Sequence, residues 1–513
     1  MTGSRSRLGV RTAALLAVLA FVAAGCTISR RDRSAAPPAT GTTTTVSWRD
    51  CASEVRTVLG RVPSTVEYDC GTVRVPRDWT AGASAGPDAF EIALLRARSR
   101  SQRDRIGSLL VNPGGPGASG VQLAMYLSLG LPADVSRRFD IIGFDPRGVG
   151  RSDPVKCWSD ELLDRSVGYE PDPVSQAEFD GAVALVTEMG RECERKYGAA
   201  LPLFSTEQAA RDMDAVRAAV GDQKMTYLGY SYGTLLGATY AQLFPQSIRA
   251  FVLDGAVDPE LDDTASSENQ AKGFERAFGN FTEWCADNAG RCPIAPDARA
   301  AVVSALDSAR RAPVEGDGGR SATAGWIFTA VISSLYTQEG WEDLANAIDD
   351  LRDGDPDGVF ELADRYVERD RSGRYSNLFD ANTAINCADS DQHLTVAQIR
   401  AKQSEWRAKY PLFGGSTAIG LLTCSLWPGK RDPYPTGAAR GAPPIVVVGT
   451  TGDPATPYEQ TPKLAEMLGV GVVLTWQGEG HTAYPSTRCI TEAVNEYLIE
   501  LEPPRKGQTC PAR

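Results

Sequence analysis

Histidine is scarce in this chain, which has only two such residues among 513, His393 and His481. There is no Cys-x-x-Cys pair, so the imidazole and thiolate ligands that most protein metal centres use are in short supply. No dinucleotide-binding fingerprint occurs either. The sequence therefore predicts no cofactor and no metal. The formal net charge of −12 disfavours nucleic acid as a partner.

Long apolar runs are also missing, apart from one near the amino terminus. Basic residues there precede a short apolar stretch at residues 12–24, followed by Gly25 and Cys26. A basic segment, a short apolar segment and small boundary residues are typical of a signal peptide, and this stretch is too short to span a bilayer. The small residues before Cys26 indicate a lipoprotein signal over residues 1–25, with Cys26 as the lipidation site.

The following segment, residues 26–47, is rich in Ser, Thr, Ala and Pro and is predicted to be a disordered tether. The folded part is therefore expected on the extracytoplasmic face of the membrane, in the cell envelope. The ten cysteines that remain beside Cys26 form an even number, so disulfides are expected. Cys51 with Cys70 and Cys489 with Cys510 are candidate pairs, and the overall connectivity stays open.

One serine has the sequence context of a nucleophile. Ser231 lies in the pentapeptide Gly-Tyr-Ser-Tyr-Gly at residues 229–233, between the strand-like run MTYLGY and the helix-like run LLGATYAQLF. The pentapeptide alone arises by chance in many chains. In a strand–turn–helix context it is the nucleophile elbow of α/β-hydrolases.

A serine nucleophile needs a base, and the two histidines are the choices. His481 directly follows an apolar run that ends in Gly-Glu-Gly, whereas His393 lies in a polar stretch with no strand before it. We therefore predict that His481 accepts the proton of Ser231 and that His393 is structural.

The third member should be an acid between the serine and the histidine in the chain. Asp453 lies just beyond the apolar run at residues 445–448, in a turn containing Gly and Pro. Asp258, one strand earlier, is the alternative acid. Glu479 is too close to His481 in sequence to orient its ring.

Backbone N–H groups should stabilise the negative charge that develops on a substrate carbonyl. The residue after the nucleophile, Tyr232, is one predicted donor. Gly115, which follows the apolar run SLLVN, is the other, since glycine lets the backbone approach a ligand closely. The run DPRGVGRS at residues 145–152 lacks the Lys-Ser/Thr ending of a phosphate loop. It is interpreted as a structural turn, with Asp145 and Arg147 as a salt bridge.

The predicted fold class is α/β, with the α/β-hydrolase fold. Eight strand-like runs, mostly apolar, alternate with helix-like patterns, which predicts an eight-stranded, mostly parallel sheet with a large inserted helical cap. The predicted organisation is the signal peptide 1–25, the tether 26–47, the core 48–258, the cap 259–440 and the second part of the core 441–513.

Several motifs occur together in a known order: NPGGPG at 112–117, DPRGVGRS at 145–152, GYSYGT at 229–234, INCAD at 385–389, GDPATP at 452–457, GEGHT at 478–482 and the Cys489 to Cys510 segment. This set resembles the secreted prolyl/tripeptidyl aminopeptidase family of α/β-hydrolases, and especially its actinobacterial cell-envelope lipoproteins. The resemblance implies the same roles for Ser231, Asp453 and His481. Single-domain prolyl aminopeptidases usually have His-Gly-Gly-Pro-Gly at the first motif, so the difference here favours the longer-peptide or esterase branch.

An exopeptidase must also bind a free α-amine, which calls for a buried carboxylate near the pocket. Asp389 is the candidate for this role, with Asp391 or Glu479 after it, and a solvated acidic loop is the alternative interpretation. Three functions remain: an aminopeptidase, a carboxylesterase acting on acyl esters, and a non-catalytic binding lipoprotein. The substrate is accordingly expected to be a peptide or an ester.

Overall fold

A computed structural model describes residues 45–82, 84 and 86–512. The predicted signal peptide, Cys26 and nearly all of the predicted tether lie outside the described residues. The described part contains these strands: β1 (Arg49–Asp50), β2 (Val66–Val75), β3 (Phe90–Ser99), β4 (Gly107–Asn112), β5 (Phe139–Phe144), β6 (Met225–Tyr230), β7 (Ile248–Asp254), β8 (Val314–Glu315), β9 (Ser321–Ala322), β10 (Ile445–Gly452), β11 (Gly471–Glu479) and β12 (Gln508–Cys510).

One sheet holds ten of these strands, in the order β1-β2-β3-β5-β4-β6-β7-β10-β11-β12. The strands from β5 to β12 in this order are parallel, and the β1–β2, β2–β3 and β3–β5 pairs are antiparallel. All eight predicted strands are present, and the mostly parallel sheet is confirmed. The predicted count of eight is too low, because two short edge strands, β1 and β12, carry no apolar periodicity in so few residues.

The helices of the described part are α1 (Ala52–Leu59), α2 (Gly120–Gly130), α3 (Ala133–Arg138), α4 (Asp160–Val167), α5 (Gln176–Tyr197), α6 (Thr206–Ala219), α7 (Tyr232–Leu243), α8 (Asp263–Asp287), α9 (Ala298–Arg311), α10 (Ala324–Leu335), α11 (Gly340–Arg352), α12 (Asp357–Val367), α13 (Leu378–Asp389), α14 (Val396–Lys409), α15 (Gly414–Gly420), α16 (Leu422–Ser425), α17 (Gln460–Leu468) and α18 (Arg488–Glu500). Within the described ranges, no helix combines the length and apolar character needed to cross a membrane.

The central strands are buried on both faces. Every residue of β4, β5 and β6 is buried, as expected for parallel strands covered by helices on two sides. Helices α2, α3 and α18 pack on one face, and α6, α7 and α17 pack on the other. Burial of these apolar strands stabilises the sheet, at roughly 25 cal/mol per Å² of apolar surface removed from water.

Nine helices, α8 to α16, and the β8–β9 hairpin lie between β7 and β10 in the described chain. Helix α13 contacts the loop after β4, where the Asn382 side-chain amide donates to the Pro116 carbonyl at 2.9 Å. Helices α4 and α5, which precede β6, also pack against this helical group, through α10 and α16. The inserted helices therefore lie over the carboxyl edge of the sheet, where the predicted site residues are found.

Five disulfides confirm the expectation from the cysteine count, and all ten cysteines of the described part are paired. The pairs are Cys51–Cys70, Cys157–Cys193, Cys285–Cys292, Cys387–Cys424 and Cys489–Cys510. The first joins the residue after β1 to β2, and the last joins α18 to β12. These two bonds therefore attach the short edge strands to neighbouring elements.

The predicted salt bridge between Asp145 and Arg147 is wrong. The Arg147 guanidinium pairs instead with Asp212 of α6, with Nη2 2.6 Å from Oδ1, and both side chains are fully buried. The Asp145 carboxylate accepts hydrogen bonds from the Ser119 hydroxyl at 2.6 Å and from the amides of Val121 and Arg151. The turn after β5 is structural, as predicted, but its two charged side chains point toward different helices.

Candidate active site

Ser231 occupies the sharp turn between β6 and α7. Its φ of +55° lies in the left-handed region, which is uncommon for a residue other than glycine. The Ser231 N–H donates to the Asp254 carbonyl at 2.8 Å, and the Thr234 hydroxyl donates to the Ser231 carbonyl at 2.7 Å. A Cβ at Gly229 would lie 2.4 Å from the Gly233 carbonyl oxygen. A Cβ at Gly233 would lie 2.9 Å from the Asn112 carbonyl oxygen, so the turn needs glycine at both positions.

The loop after β4 packs directly against this turn. A Cβ at Gly114 would lie 2.9 Å from the Tyr232 nitrogen and 2.5 Å from the Tyr230 carbonyl oxygen, so only glycine fits at this contact. Gly115 and Tyr232 line the same cavity as Ser231. Their N–H groups have no hydrogen-bond acceptor among the described residues. Both backbone donors predicted for a developing oxyanion are thus present beside Ser231 and unused by the protein.

His481 and Asp453 are brought together at the carboxyl ends of β11 and β10. The His481 Nδ1 atom lies 2.9 Å from both carboxylate oxygens of Asp453. This contact places the imidazole proton on Nδ1 and leaves Nε2 as the basic nitrogen. Asp453 is fully buried, and the His481 side chain is 10% exposed.

Other donors hold the Asp453 carboxylate in place. Its Oδ1 accepts from the amides of Ala455 and Thr456, each at 2.9 Å, and its Oδ2 accepts from the Thr456 hydroxyl at 3.0 Å. The Thr482 amide also donates to Oδ2 at 3.3 Å. This network leaves the carboxylate little freedom to rotate, so it can orient the imidazole.

The charge environment of His481 favours the imidazolium. Burial alone would lower the pKa of His481, but the Asp453 carboxylate, through its charge and its hydrogen bond, outweighs burial. The Asp254 carboxylate acts in the same direction. The pKa of His481 is therefore raised above its usual value of about 6.5.

The inserted helices also contribute to the setting of His481. The His481 amide donates to the carbonyl of Tyr336, the residue after α10, at 2.7 Å. The Tyr336 ring meets the imidazole edge-on, with centroids 5.3 Å apart. Tyr336 could not be identified from the sequence, because it lies 145 positions before His481 and belongs to no motif.

The alternative residues are placed elsewhere. His393 is exposed in the loop before α14. Asp258 lines the cavity, but its carboxylate accepts the Glu260 amide at 3.0 Å and makes no bond to His481 within the described structure. Glu479 accepts from the Asn280 side-chain amide at 2.9 Å. No group of three or more His, Cys, Asp or Glu in the described ranges is arranged to hold a metal ion.

A cavity of about 580 Å³ opens between the sheet edge and the inserted helices, with Ser231 in its wall. Three carboxylates line it, those of Asp258, Asp263 and Asp389. No Lys, Arg or His is found among the described residues of its lining. The cavity is therefore suited to a ligand that carries a positive charge.

Asp389 is the last residue of α13 and is partly buried in the cavity wall. Its Oδ1 accepts from the Thr206 amide at 2.8 Å, and its Oδ2 accepts from the Thr206 hydroxyl at 2.5 Å. That hydroxyl also shares a 2.6 Å hydrogen bond with the Tyr232 phenol. Burial, only partly offset by the Thr206 bonds, raises the pKa of Asp389 to about 8. A neighbouring positive charge would stabilise its ionised form.

The chain is similar in sequence to known proteins over most of its length. A family model described as the alpha/beta hydrolase fold matches residues 107–469. The chain is 38% identical to the serine protease Hip1 of Mycobacterium tuberculosis (strain H37Rv), with 97% of this chain and 96% of the relative covered. It is 34% identical to carboxylesterase B of the same organism, with 90% and 89% covered. It is 29% identical to the tripeptidyl aminopeptidase of Streptomyces lividans, with 91% and 86% covered.

Proposed function

Because the chain belongs to the α/β-hydrolase family and is a serine hydrolase, we propose that it cleaves peptide bonds near the free N-terminus of its substrates. The observation that carries this proposal is the set of carboxyl groups in the cavity beside Ser231. Three of them line it without a basic side chain among the described residues. A protonated α-amine stabilises the ionised form of such a carboxyl and pairs with it, whereas an uncharged acyl chain does neither.

Ser231, His481 and Asp453 are the proposed catalytic residues. The Ser231 hydroxyl oxygen attacks the carbonyl carbon of the scissile bond while its proton moves to Nε2 of His481. The Asp453 carboxylate, 2.9 Å from Nδ1, stabilises the imidazolium that forms. The amides of Tyr232 and Gly115 donate to the carbonyl oxygen as it becomes negative.

Collapse of this intermediate breaks the C–N bond. The leaving amine takes the proton from His481, and an acyl-enzyme ester remains on Ser231. A water molecule then attacks the ester carbon and gives its proton to His481. The bond to the serine oxygen breaks, that oxygen takes the proton from His481, and the acid product leaves. In this proposal residues 259–440 act as the cap that limits how much of the acyl part the cavity can hold.

Asp389 is the proposed binding residue for the α-amine. We expect Asp389→Asn to lower kcat/KM for tripeptidyl anilides with a free amine by roughly 10- to 100-fold, since a hydrogen bond between charged groups contributes about 1.5–3 kcal/mol. The same variant should hydrolyse a nitrophenyl ester without an amine at nearly the unaltered rate. Steady-state kinetics on the two substrates measures the difference.

Two controls sharpen this test. Asp350→Asn removes an exposed carboxylate from α11 of the same helical insertion and should change neither substrate's kinetics. N-acetylation of the tripeptidyl anilide should reproduce the loss in the unaltered enzyme and add little in Asp389→Asn. Equal cleavage of free and acetylated peptides would contradict the aminopeptidase proposal.

A carboxylesterase is the second candidate, because the chain is 34% identical to carboxylesterase B over nine-tenths of its length. The same three residues hydrolyse esters by the same steps, and no amine-binding carboxylate is needed. Turnover of nitrophenyl esters with no turnover of any peptide anilide would favour this function over the first.

We also propose that the protein is exported and anchored by a lipid on Cys26. The sequence before Cys26 supports this, and five disulfides suit an oxidising compartment outside the cytoplasm. Cys26→Ala should release the enzyme from the membrane fraction into the medium with its specific activity intact. Mass spectrometry of the mature amino terminus should find diacylglycerol on Cys26, and an unmodified cysteine there would contradict the anchor.

A further inference from the structure

The end of β7 contacts all three segments that carry the proposed catalytic residues. Asp254, its last residue, is fully buried. Its carbonyl accepts the Ser231 N–H at 2.8 Å. Its carboxylate accepts from the amides of Ala483 at 3.0 Å and Tyr484 at 2.7 Å. One residue thus binds the nucleophile turn through its backbone and the His481 loop through its side chain.

The next residue, Gly255, contacts β10, the strand that directly precedes Asp453. Its amide donates to the Val448 carbonyl of β10 at 3.1 Å. Its φ is +74°, and a Cβ there would lie 3.2 Å from Cε1 of His481 and 3.0 Å from the Thr482 side chain. The Gly255 backbone therefore lies so close to the imidazole that a side chain at this position would crowd the ring.

Few charged groups surround the Asp254 carboxyl. The titratable groups that face it are Tyr230 at the end of β6, Asp453 from the loop after β10, and His481 from the loop before α18. Burial raises the pKa of Asp254 to about 7, against the hydrogen bonds from Tyr484 and Ala483. In return its charge raises the pKa of His481.

We propose that Asp254 is a positioning residue, which holds the His481 loop in register with the Ser231 turn through one carboxylate bound to two consecutive amides. The proposal rests on the roles proposed for Ser231 and His481. Asp254 does not touch the substrate. Its effect is on the relative position of the base and the nucleophile, which come from segments far apart in sequence. A shift of about 1 Å between such groups costs on the order of 100-fold in rate.

The first test measures Ser231 reactivity without any choice of substrate. An alkyl fluorophosphonate reacts with the activated serine, and its second-order rate constant is measured against pH. Asp254→Asn keeps one oxygen that can accept both amides, but it places an N–H donor where Oδ1 accepts the Ala483 amide at 3.1 Å, so a donor faces a donor there. We expect a roughly 10- to 100-fold slower reaction and an acid limb displaced to lower pH.

The acid limb of the pH profile should move to lower pH for a specific reason. His481 must be neutral to accept the proton, and loss of the Asp254 charge removes one contribution that raises the pKa of His481. Because the chain has only two histidines, ring carbon NMR can follow His481 directly, with His481→Gln used for assignment. A merely structural role for Asp254 would leave the His481 titration where it is in the folded variant.

Asp380→Asn is the matched control. Asp380 is also fully buried, and its Oδ1 accepts two consecutive amides, those of Cys157 at 2.6 Å and Trp158 at 3.0 Å. It lies in α13 and makes no contact with His481 in the described structure. Asp380→Asn should leave the pKa of His481 unchanged, so a displacement common to both variants would overturn the proposal.

Further outcomes distinguish a failure of the proposed function from a failure of the Asp254 proposal alone. If the unaltered protein fails to react with the phosphonate, the proposed function fails. If it reacts and folded Asp254→Asn matches it in rate and His481 titration, only the Asp254 proposal is overturned. Asp254→Ser replaces Asp254→Asn if the latter does not fold.

Discussion

Ser231→Ala is expected to lower kcat by on the order of 10⁶-fold, for peptide and ester substrates alike. The substitution removes the only oxygen that can form the proposed acyl-enzyme. The amides of Tyr232 and Gly115 would remain, and they account for the small residual rate over uncatalysed hydrolysis. Burst kinetics with a nitrophenyl ester measures the effect, since acyl-enzyme formation releases one equivalent of nitrophenol in the unaltered enzyme.

The loss should not arise from misfolding. The hydrogen bonds of residue 231 at 2.8 Å to Asp254 and 2.7 Å from Thr234 use its backbone N–H and carbonyl, which alanine retains. Ser231→Ala should therefore keep the thermal transition of the unaltered protein. Ser404→Ala, on the exposed side of α14, is the matched control and should remain fully active. Activity preserved in Ser231→Ala would refute the assignment of the site.

Asp453→Asn is expected to lower kcat by on the order of 10⁴-fold, the size seen when the orienting aspartate of such a triad becomes asparagine. The Asp453 carboxylate accepts from Ala455, Thr456, Thr482 and Nδ1 of His481. An amide would direct N–H groups toward some of these donors. The imidazole would then favour the tautomer with its proton on Nε2, which cannot accept the proton of Ser231.

The pH profile distinguishes this effect from a general loss of structure. The Asp453 charge is the main influence that raises the pKa of His481 against burial. Its removal should therefore lower the pKa of His481, and the acid limb of kcat/KM should move to lower pH as the maximum falls. Asp258→Asn tests the alternative acid and should leave the limb in place. If Asp258→Asn moved the limb and Asp453→Asn did not, the acid would be Asp258.

Much of the fold could be predicted because buried parallel strands are continuous apolar runs. Such runs marked β2 to β7, β10 and β11 without reference to their partners. The edge strands β1 and β12 escaped prediction because two or three residues hold no periodicity, and they pair only because a neighbouring strand presents free backbone groups. The candidate disulfides Cys51–Cys70 and Cys489–Cys510 are confirmed, but a disulfide does not by itself indicate that its cysteine lies in or beside a strand.

The charged turn after β5 shows the limit of reasoning from neighbours in sequence. Asp145 and Arg147 are two residues apart, so a salt bridge between them was a reasonable prediction. The Arg147 side chain instead reaches Asp212 across the α6 interface, where both are fully buried. Since a buried charge needs a partner with good geometry, the tertiary packing and not the sequence spacing selects which carboxylate it meets.

The sequence by itself determined the candidate chemistry: one serine in an elbow, two histidines to choose from, and an acid after an apolar strand. These features are local, since a strand, a turn and a helix follow from residues that adjoin one another. Only the tertiary structure decided which groups meet. Asp254, Tyr336 and Thr206 approach the site from β7, α10 and α6, and no short segment contains their partners. Their roles depend on strand register and helix packing, which bring together residues that the chain itself keeps far apart.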